Sequence, residues 1–143
     1  MLYLLGSLPI VLTTLKLLPE IITEIKKREH AKRLKMKRSN DCSYYIEDKL
    51  HNEYGPALIS EYGKKWYLNG LLHRIDGPAV EWVSGTIEWY QHGARHRLDG
   101  PAYISNTTTV WYKHNKLHNP NGPAAIYPHR GEKFWYIHGK RIK

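Results

Sequence analysis

The chain has 143 residues, with 22 Lys and Arg against 13 Asp and Glu, and a formal net charge of +9. This length is that of one domain plus an extension, which excludes two separate globular domains. The single cysteine, Cys42, excludes an internal disulfide framework and gives no sign of an oxidising compartment.

Residues 1–25 are predicted to form an apolar helix. Met1–Leu18 is apolar apart from small hydroxyl residues and Lys16. Fifteen helical residues span about 22 Å, which is short of the roughly 30 Å hydrocarbon core of a bilayer. Extension to Ile25 reaches about 37 Å but includes three charged residues, of which Lys16 could snorkel to an interface. We therefore predict either a membrane anchor or a helix that docks on a protein partner.

The flanks of this apolar run argue against a cleaved signal peptide. No basic residues precede it, and no small-x-small cleavage site follows it. Pro19, followed by Glu20 and Glu24, is typical of a helix start, because proline is tolerated in the first turn and acidic side chains are favoured near the positive end of the helix dipole.

Residues 26–43 are predicted to form a basic helical stalk and a hinge. Residues 26–38 hold eight Lys or Arg and one Glu, a net +7 of the chain's +9. Such a run can be a solvated face, a surface for anionic headgroups that keeps the C-terminal part in the cytosol, or a nucleic-acid contact. Ser39–Ser43 is predicted to be the polar hinge. The predicted anionic-surface residues are Lys26, Lys27, Arg28, Lys32, Arg33, Lys35, Lys37 and Arg38.

From Tyr44 onward the chain repeats. Gly-Pro-Ala recurs in steps of 22, 23 and 22 residues, a Trp-Tyr pair accompanies each copy, and a histidine lies four residues before each glycine. A period of this length indicates a repeat architecture. The predicted structural residues of the repeats are Trp66, His73, Gly77, Trp89, His96, Gly100, Trp111, His118, Gly122 and Trp135.

The spacings within the repeat separate a rigid part from a tolerant part. The first aromatic residue always precedes the next Gly-Pro-Ala alanine by 13 residues, whereas 9 to 11 residues separate that alanine from the following Trp. A constant count predicts a packed corner, and a variable count predicts an exposed hairpin tip. We therefore predict one β-hairpin of two short strands in each repeat. Left-handed turn residues are expected to end the strands at Gly70, Gly93, Asn115 and Gly139.

These patterns define the predicted fold class. It is mainly β, a single-file stack of antiparallel β-hairpins with repeats of 22–24 residues over 44–143, preceded by an N-terminal α-helical segment.

The motif W-Y-x-x-G-x-x-H-R-x-D-G-P-A at Trp66–Ala79 and Trp89–Ala102 resembles the MORN repeat. More narrowly, it looks like the H-R-x-D-G-P-A variant that recurs in open reading frames of large DNA viruses and phages. The first and fourth copies depart from it, with His51–Tyr54 and His118–Asn121 in place of His-Arg-x-Asp. The resemblance implies scaffolding, protein contact or membrane attachment, without a common catalytic chemistry.

The residues themselves also indicate a protein that is not an enzyme. No Ser or Cys nucleophile has a positioned base. His73, His96 and His118 would lie one repeat apart, roughly 9–10 Å, which is too far to share a metal ion. We expect no cofactor and no small-molecule substrate. Each His and each Arg/Asp pair is expected to tie its own corner, and the Trp ladder is expected to be core rather than a sugar-binding platform.

The predicted function is therefore that of a membrane-associated structural protein. With the resemblance, this favours a minor capsid or virion component that contacts capsid proteins and joins the shell to an internal membrane. Its repeat domain would lie on the cytosolic side of the membrane. The alternatives are a soluble antitoxin or immunity-type binding module and a nucleic-acid-linked scaffold that uses the basic stalk.

Overall fold

A computed structural model describes residues 8–38 and 41–143, with side chains for 17–36 and 41–143. It contains one long helix, α1 (Leu8–Arg33), followed by short antiparallel strands, most of which join one large sheet. The chain divides into a helical unit that ends at Leu34 and a sheet unit that begins at Lys35. The predicted mainly β fold with a preceding helix is confirmed.

Helix α1 runs through Pro19 without interruption, so the predicted helix start at this residue is wrong. An internal proline removes one backbone N–H and crowds the carbonyl four residues earlier, but its fixed φ is helical, and the helical residues on both sides outweigh this local cost. One turn later the hydroxyl of Thr23 donates a hydrogen bond to the Pro19 carbonyl, at 2.8 Å.

Five of the described side chains of α1 are large and aliphatic and form an exposed apolar stripe. At about 100° per residue its members fall within an arc of about 140°, and Pro19 and Thr23 lie on the opposite face. The stripe members are 43 to 55% exposed: Leu17, Leu18, Ile21, Ile22 and Ile25. No helix in the described part of the chain combines the length and the apolarity needed to cross a membrane.

The basic segment is not helical throughout, which corrects the predicted stalk. The helix ends at Arg33, and Lys35–Arg38 forms strand β1, which pairs antiparallel with β2 (Cys42–Ile46). The first repeat strand thus begins two residues before Tyr44, inside the predicted hinge, of which Ser39 and Asn40 lie outside the described residues. Pairing with β2 satisfies backbone groups of a segment whose apolar content is too low to hold a helix by packing.

Within the described residues the large sheet has eleven strands, and most neighbouring strands are joined directly by a hairpin turn. Beyond β1 and β2, its strands are β3 (Lys49–Leu50), β4 (Leu58–Ser60), β5 (Gly63–Lys65), β8 (Val80–Trp82), β9 (Ile87–Glu88), β12 (Tyr103–Ile104), β13 (Thr109–Val110), β16 (Ala125–Tyr127) and β17 (Glu132–Phe134). Their order in the sheet is β1, β2, β4, β5, β8, β9, β12, β13, β16, β17, and β3 also pairs with β2. The predicted tips join β4 to β5, β8 to β9, β12 to β13 and β16 to β17, the last through a short 3-10 helix, Pro128–Arg130.

Each repeat also contains a second, smaller hairpin, so the prediction of one hairpin per repeat is incomplete. These hairpins are β6 (Tyr67–Leu68) with β7 (Leu71–Leu72), β10 (Tyr90–Gln91) with β11 (Ala94–Arg95), β14 (Tyr112–Lys113) with β15 (Lys116–Leu117), and β18 (Tyr136–Ile137) with β19 (Lys140–Arg141). Two residues of positive φ join the strands in each case, as in a type I′ turn. These turns are Asn69-Gly70, His92-Gly93, His114-Asn115 and His138-Gly139. The predicted left-handed residues are therefore confirmed.

The alanine of Gly-Pro-Ala is the centre of each repeat. All four copies are completely buried: Ala57, Ala79, Ala102 and Ala124. Each alanine carbonyl accepts a 2.8 Å hydrogen bond from the backbone N–H of the aromatic residue 13 positions earlier, as Ala79 does from Trp66. This bond explains why the spacing of 13 residues is constant, since one inserted residue would break it.

Glycine at position 63 is required by a close backbone approach. Its φ is 153°, and a Cβ atom there would lie 2.2 Å from the carbonyl oxygen of Glu81 on the neighbouring strand β8. Gly85, at the next hairpin tip, also has positive φ (85°), but a Cβ atom there meets nothing within 4 Å. Alanine at Gly63 would therefore introduce both backbone strain and a steric collision, whereas alanine at Gly85 would introduce backbone strain alone.

We expect Gly63→Ala to lower the free energy of unfolding by more than about 3 kcal/mol, since strain at positive φ of about 1–2 kcal/mol adds to displacement of a paired strand. Gly85→Ala should cost only the strain, about 1–2 kcal/mol. Urea unfolding of both variants measures the difference, and equal losses would contradict the steric explanation.

Candidate functional site

The predicted anionic-surface residues lie on two different elements. Lys26, Lys27, Arg28, Lys32 and Arg33 are exposed on α1, directly after the apolar stripe, and Lys35 is exposed on β1. Lys37 and Arg38 also belong to β1, but their side chains lie outside the described residues.

Acidic neighbours offset only part of this charge. Glu24 lies 3.8 Å from the Arg28 guanidinium and Glu29 lies 2.6 Å from the Lys32 ammonium, with all four side chains more than half exposed. Such exposed pairs stabilise little, so the segment keeps a strongly positive surface.

Arginine and aspartate close the corners of the second and third repeats. The guanidinium of Arg74 donates to Asp76 at 3.0 Å and to the Pro78 carbonyl at 3.2 Å, and it lies 4.1 Å from the centre of the Trp66 ring. Arg97 repeats these contacts with Asp99, Pro101 and Trp89. The guanidinium holds the pKa of each aspartate below its usual range through a hydrogen bond and its charge.

The glycine of Gly-Pro-Ala makes room for that guanidinium. A Cβ atom at Gly77 would lie 2.9 Å from Cζ of Arg74, and Gly100 stands in the same relation to Arg97. In the first repeat Gly55 is less crowded, with the nearest side-chain atom of Asn52 at 3.2 Å, and Gly122 in the fourth is open to 3.5 Å.

Asparagine closes the two corners that lack the Arg/Asp pair. The amide of Asn52 donates to the Pro56 carbonyl at 3.1 Å, and its oxygen accepts from the backbone N–H of Tyr54 at 3.2 Å. Asn119 makes the equivalent contacts with Pro123 and Asn121, both at 3.0 Å. The departures from His-Arg-x-Asp are thus structural substitutes, because one amide supplies both the donor and the acceptor.

The repeat histidines do not tie their own corners, which corrects the sequence-based expectation. Nδ1 of His73 accepts from the backbone N–H of His92 in the next repeat, at 3.1 Å. The same bond runs from His114 to His96 at 3.3 Å and from His138 to His118 at 3.1 Å. Each repeat histidine therefore holds the type I′ turn of the following repeat.

A second imidazole comes with each of these bonds. The ring centres of His73 and His92 are 4.4 Å apart, and the corresponding pairs His96/His114 and His118/His138 are separated by 4.1 and 4.4 Å. Sequence reasoning considered only the histidines that lie one repeat apart. The signal that it missed was a histidine three residues after each Trp from Trp89 onward.

These pairs are poorly suited to binding a metal. An Nδ1 atom that accepts a backbone N–H places the ring proton on Nε2, so neither nitrogen of the repeat histidine offers a free lone pair. Within residues 8–38 and 41–143 no group of three or more His, Cys, Asp or Glu side chains is arranged to hold a metal ion.

Glu88 forms a polar centre that is specific to the third repeat. Its buried carboxylate accepts from Trp82 Nε1 at 2.9 Å, from the Tyr90 hydroxyl at 3.0 Å and from Arg95 at 2.6 Å. Burial raises the pKa of Glu88, but these hydrogen bonds and the charge of Arg95 outweigh it, and the net pKa is lowered. Burial together with the Glu88 charge raises the pKa of Tyr90 to about 12.

In the described part of the repeats, successive corners enclose three open grooves of similar size, 440, 520 and 490 Å³. Each is lined by one half-buried tryptophan (Trp66, Trp89 or Trp111) and by the histidine that follows it. The tips of the second and third corners are apolar and highly exposed, with Ile75 at 80% and Leu98 at 78%, whereas Glu53 and Pro120 occupy the equivalent positions of the first and fourth corners. One edge of the repeats therefore presents a row of aromatic grooves with two exposed apolar tips.

Comparison with protein-family models, curated proteins and solved structures gives no match. The resemblance to the MORN repeat stays a prediction.

We expect Arg95→Ala to lower the free energy of unfolding by about 3 kcal/mol, because it leaves the Glu88 carboxylate buried and without its charge partner. Breaking a buried ion pair costs about 3–5 kcal/mol, and we expect the lower value because the Arg95 side chain is partly exposed. The double variant Glu88→Val with Arg95→Leu should cost less than Arg95→Ala, because it leaves no unpaired buried charge and the next repeat has Val110 and Leu117 at these positions. Its remaining cost should be about 1–3 kcal/mol, since Trp82 and Tyr90 lose their hydrogen-bond acceptor.

Chemical denaturation of Arg95→Ala, the double variant and the unsubstituted chain measures the three free energies of unfolding. A double variant as unstable as Arg95→Ala would show that the third repeat needs the ion pair itself.

Proposed function

We propose that the protein is a non-enzymatic scaffold that attaches to an anionic membrane surface through α1 and presents its repeats to protein partners. The observation that carries this proposal is the exposed apolar stripe of α1, which is followed at once by a run of cations.

The two faces of α1 support attachment along the membrane surface. The stripe from Leu17 to Ile25 lies opposite Pro19, Thr23 and Lys27 on the helix. Burial of one such aliphatic side chain contributes about 1.5–3 kcal/mol relative to exposure, so several together favour insertion at the headgroup boundary.

The cations supply the second part of the attachment. Lys26, Lys27 and Arg28 follow Ile25 directly, and each Lys or Arg near an anionic surface contributes about 1 kcal/mol. Stable attachment of a peripheral protein commonly needs two such signals, one apolar and one electrostatic.

The edge with the three grooves is the part of the repeats best suited to protein contact. Exposed apolar tips flank aromatic grooves there, and interface cores are enriched in aromatic side chains.

A position in a virion, between a capsid shell and an internal membrane, stays a narrower prediction. Proteomics of purified particles would test it.

Vesicle flotation of the full chain tests the attachment. Ile21→Gln with Ile25→Gln should reduce the partition coefficient into anionic vesicles by about 100-fold or more, because two aliphatic anchors are lost. The control Thr23→Gln places a glutamine on the opposite face of the helix, leaves Pro19 in place and should leave flotation unchanged.

Lys26→Gln with Lys27→Gln should weaken flotation about 25-fold on anionic vesicles and little on zwitterionic ones, since each charge is worth about fivefold. If the unsubstituted chain does not float, α1 is instead a protein-docking helix, as in the soluble binding-module alternative. If it binds DNA with an affinity that falls steeply with salt and depends on these lysines, the nucleic-acid-linked scaffold replaces our proposal.

A further inference from the structure

The turns of the small hairpins form a row that is joined from repeat to repeat. We use "turn row" for Asn69-Gly70, His92-Gly93, His114-Asn115 and His138-Gly139. The second residue of each turn donates its backbone N–H to the preceding repeat, as Gly93 does to the Leu72 carbonyl at 2.9 Å. The first residue donates its N–H to Nδ1 of a repeat histidine. Two hydrogen bonds thus hold each turn, and one of them depends on the protonation of an imidazole.

An imidazolium at the repeat histidine is incompatible with that bond. Protonated Nδ1 is a donor and would face the donating N–H of His92, His114 or His138. The second imidazole lies within 4.4 Å, so protonation of both rings also places two cations in contact.

The charged groups around the three pairs do not compensate. Lys113 repels a charge on His96 and on His118, and the histidine of the next turn repels a charge on each repeat histidine. Asp76 and Asp99 line the same grooves as His73 and His96, but they are hydrogen-bonded to Arg74 and Arg97.

The first turn of the row is built differently. Asn69 replaces the second histidine, and its side-chain oxygen lies 2.8 Å from Nδ1 of His51 while its backbone N–H lies 3.1 Å from the same atom. A neutral His51 can accept from the N–H, and a protonated His51 can donate to the oxygen. This junction can therefore hold the turn in both protonation states.

We propose that the three His/His junctions form an acid-sensitive latch, which releases the last three turns of the row as the pH falls while the first turn and the large sheet stay formed. The proposal stands apart from membrane attachment, because none of its residues lies in α1.

The direction of the pH dependence follows from the folded-state pKa values. Burial, followed by repulsion from the neighbouring histidine, lowers the pKa of His73, His96 and His118 below 6.5. In the released state these rings titrate near 6.5 and bind more protons than in the closed state. The stability of the closed turns is therefore complete above about pH 7, falls as the pH drops through 6.5, and stops falling below the folded-state pKa.

Amide hydrogen exchange of the full chain, measured residue by residue by NMR at pH 7 and pH 5, tests the latch. After correction for the intrinsic pH dependence of exchange, the protection factors of the His92, His114 and His138 amides should drop by up to about tenfold for each unit of pKa shift. The amides of Asn69 and of Trp66 and Trp111 in the same molecule serve as references and should keep their protection.

The triple variant His92→Asn, His114→Asn and His138→Asn should remove the acid-dependent loss, because it converts each junction to the first type. Asparagine is well suited to the positive φ at these positions, 48° to 49°, so the fold at pH 7 should be retained. In the reverse variant, Asn69→His, the amide of residue 69 should lose protection at pH 5 as the others do.

Each possible result decides the matter. Equal loss at Asn69 and at the three histidine amides would overturn the latch, as would no loss at any of them. Persistence of the acid-dependent loss in the triple variant would do so as well. If the triple variant does not fold at pH 7, the Asn69→His result alone supports the latch or refutes it.

Discussion

The structure depends on one backbone hydrogen bond, from the N–H of an aromatic residue to the carbonyl of the alanine 13 residues later. The alanine is fully buried, so any larger side chain there would push apart the strands that meet around it. Because its own N–H is also bonded, as Ala79 is to Glu88, the alanine joins the end of one repeat to the beginning of the next. The large sheet therefore grows one repeat at a time, and each repeat is stabilised by its neighbours rather than by a core of its own.

The corners show how one geometric requirement accepts two chemical solutions. A side chain after the repeat histidine must reach the proline carbonyl four residues on, and either Arg74 or Asn52 does so. Arginine adds a stack on Trp66 and needs an aspartate partner, whereas asparagine satisfies the turn alone. Loss of the His-Arg-x-Asp motif in two copies is thus compatible with an intact repeat.

Two polar clusters of the repeats, the Glu88/Arg95 ion pair and the stacked histidines, differ in what constrains them. Glu88 and Arg95 bring a charge pair into a site that the next repeat fills with Val110 and Leu117, so the pair is one of two workable packings. The stacked histidines are constrained by their protonation state, because the acceptor that holds the next turn must remain unprotonated. The charge pair therefore bears on the stability of one repeat, and the histidines bear on how that stability depends on pH.

The sequence was sufficient to predict the mainly β class, the repeat length, the hairpin tips and the left-handed residues such as Gly93, because each follows from a spacing or a backbone preference local to one repeat. It did not determine that Lys35–Arg38 would leave the helix for the sheet, since a short basic segment has little preference of its own and pairing with β2 decides. Nor did it determine which histidines would meet: His73 and His92 lie 19 residues apart along the chain. Only the tertiary stacking of two turns, fixed by bonds between repeats, brings their rings to 4.4 Å.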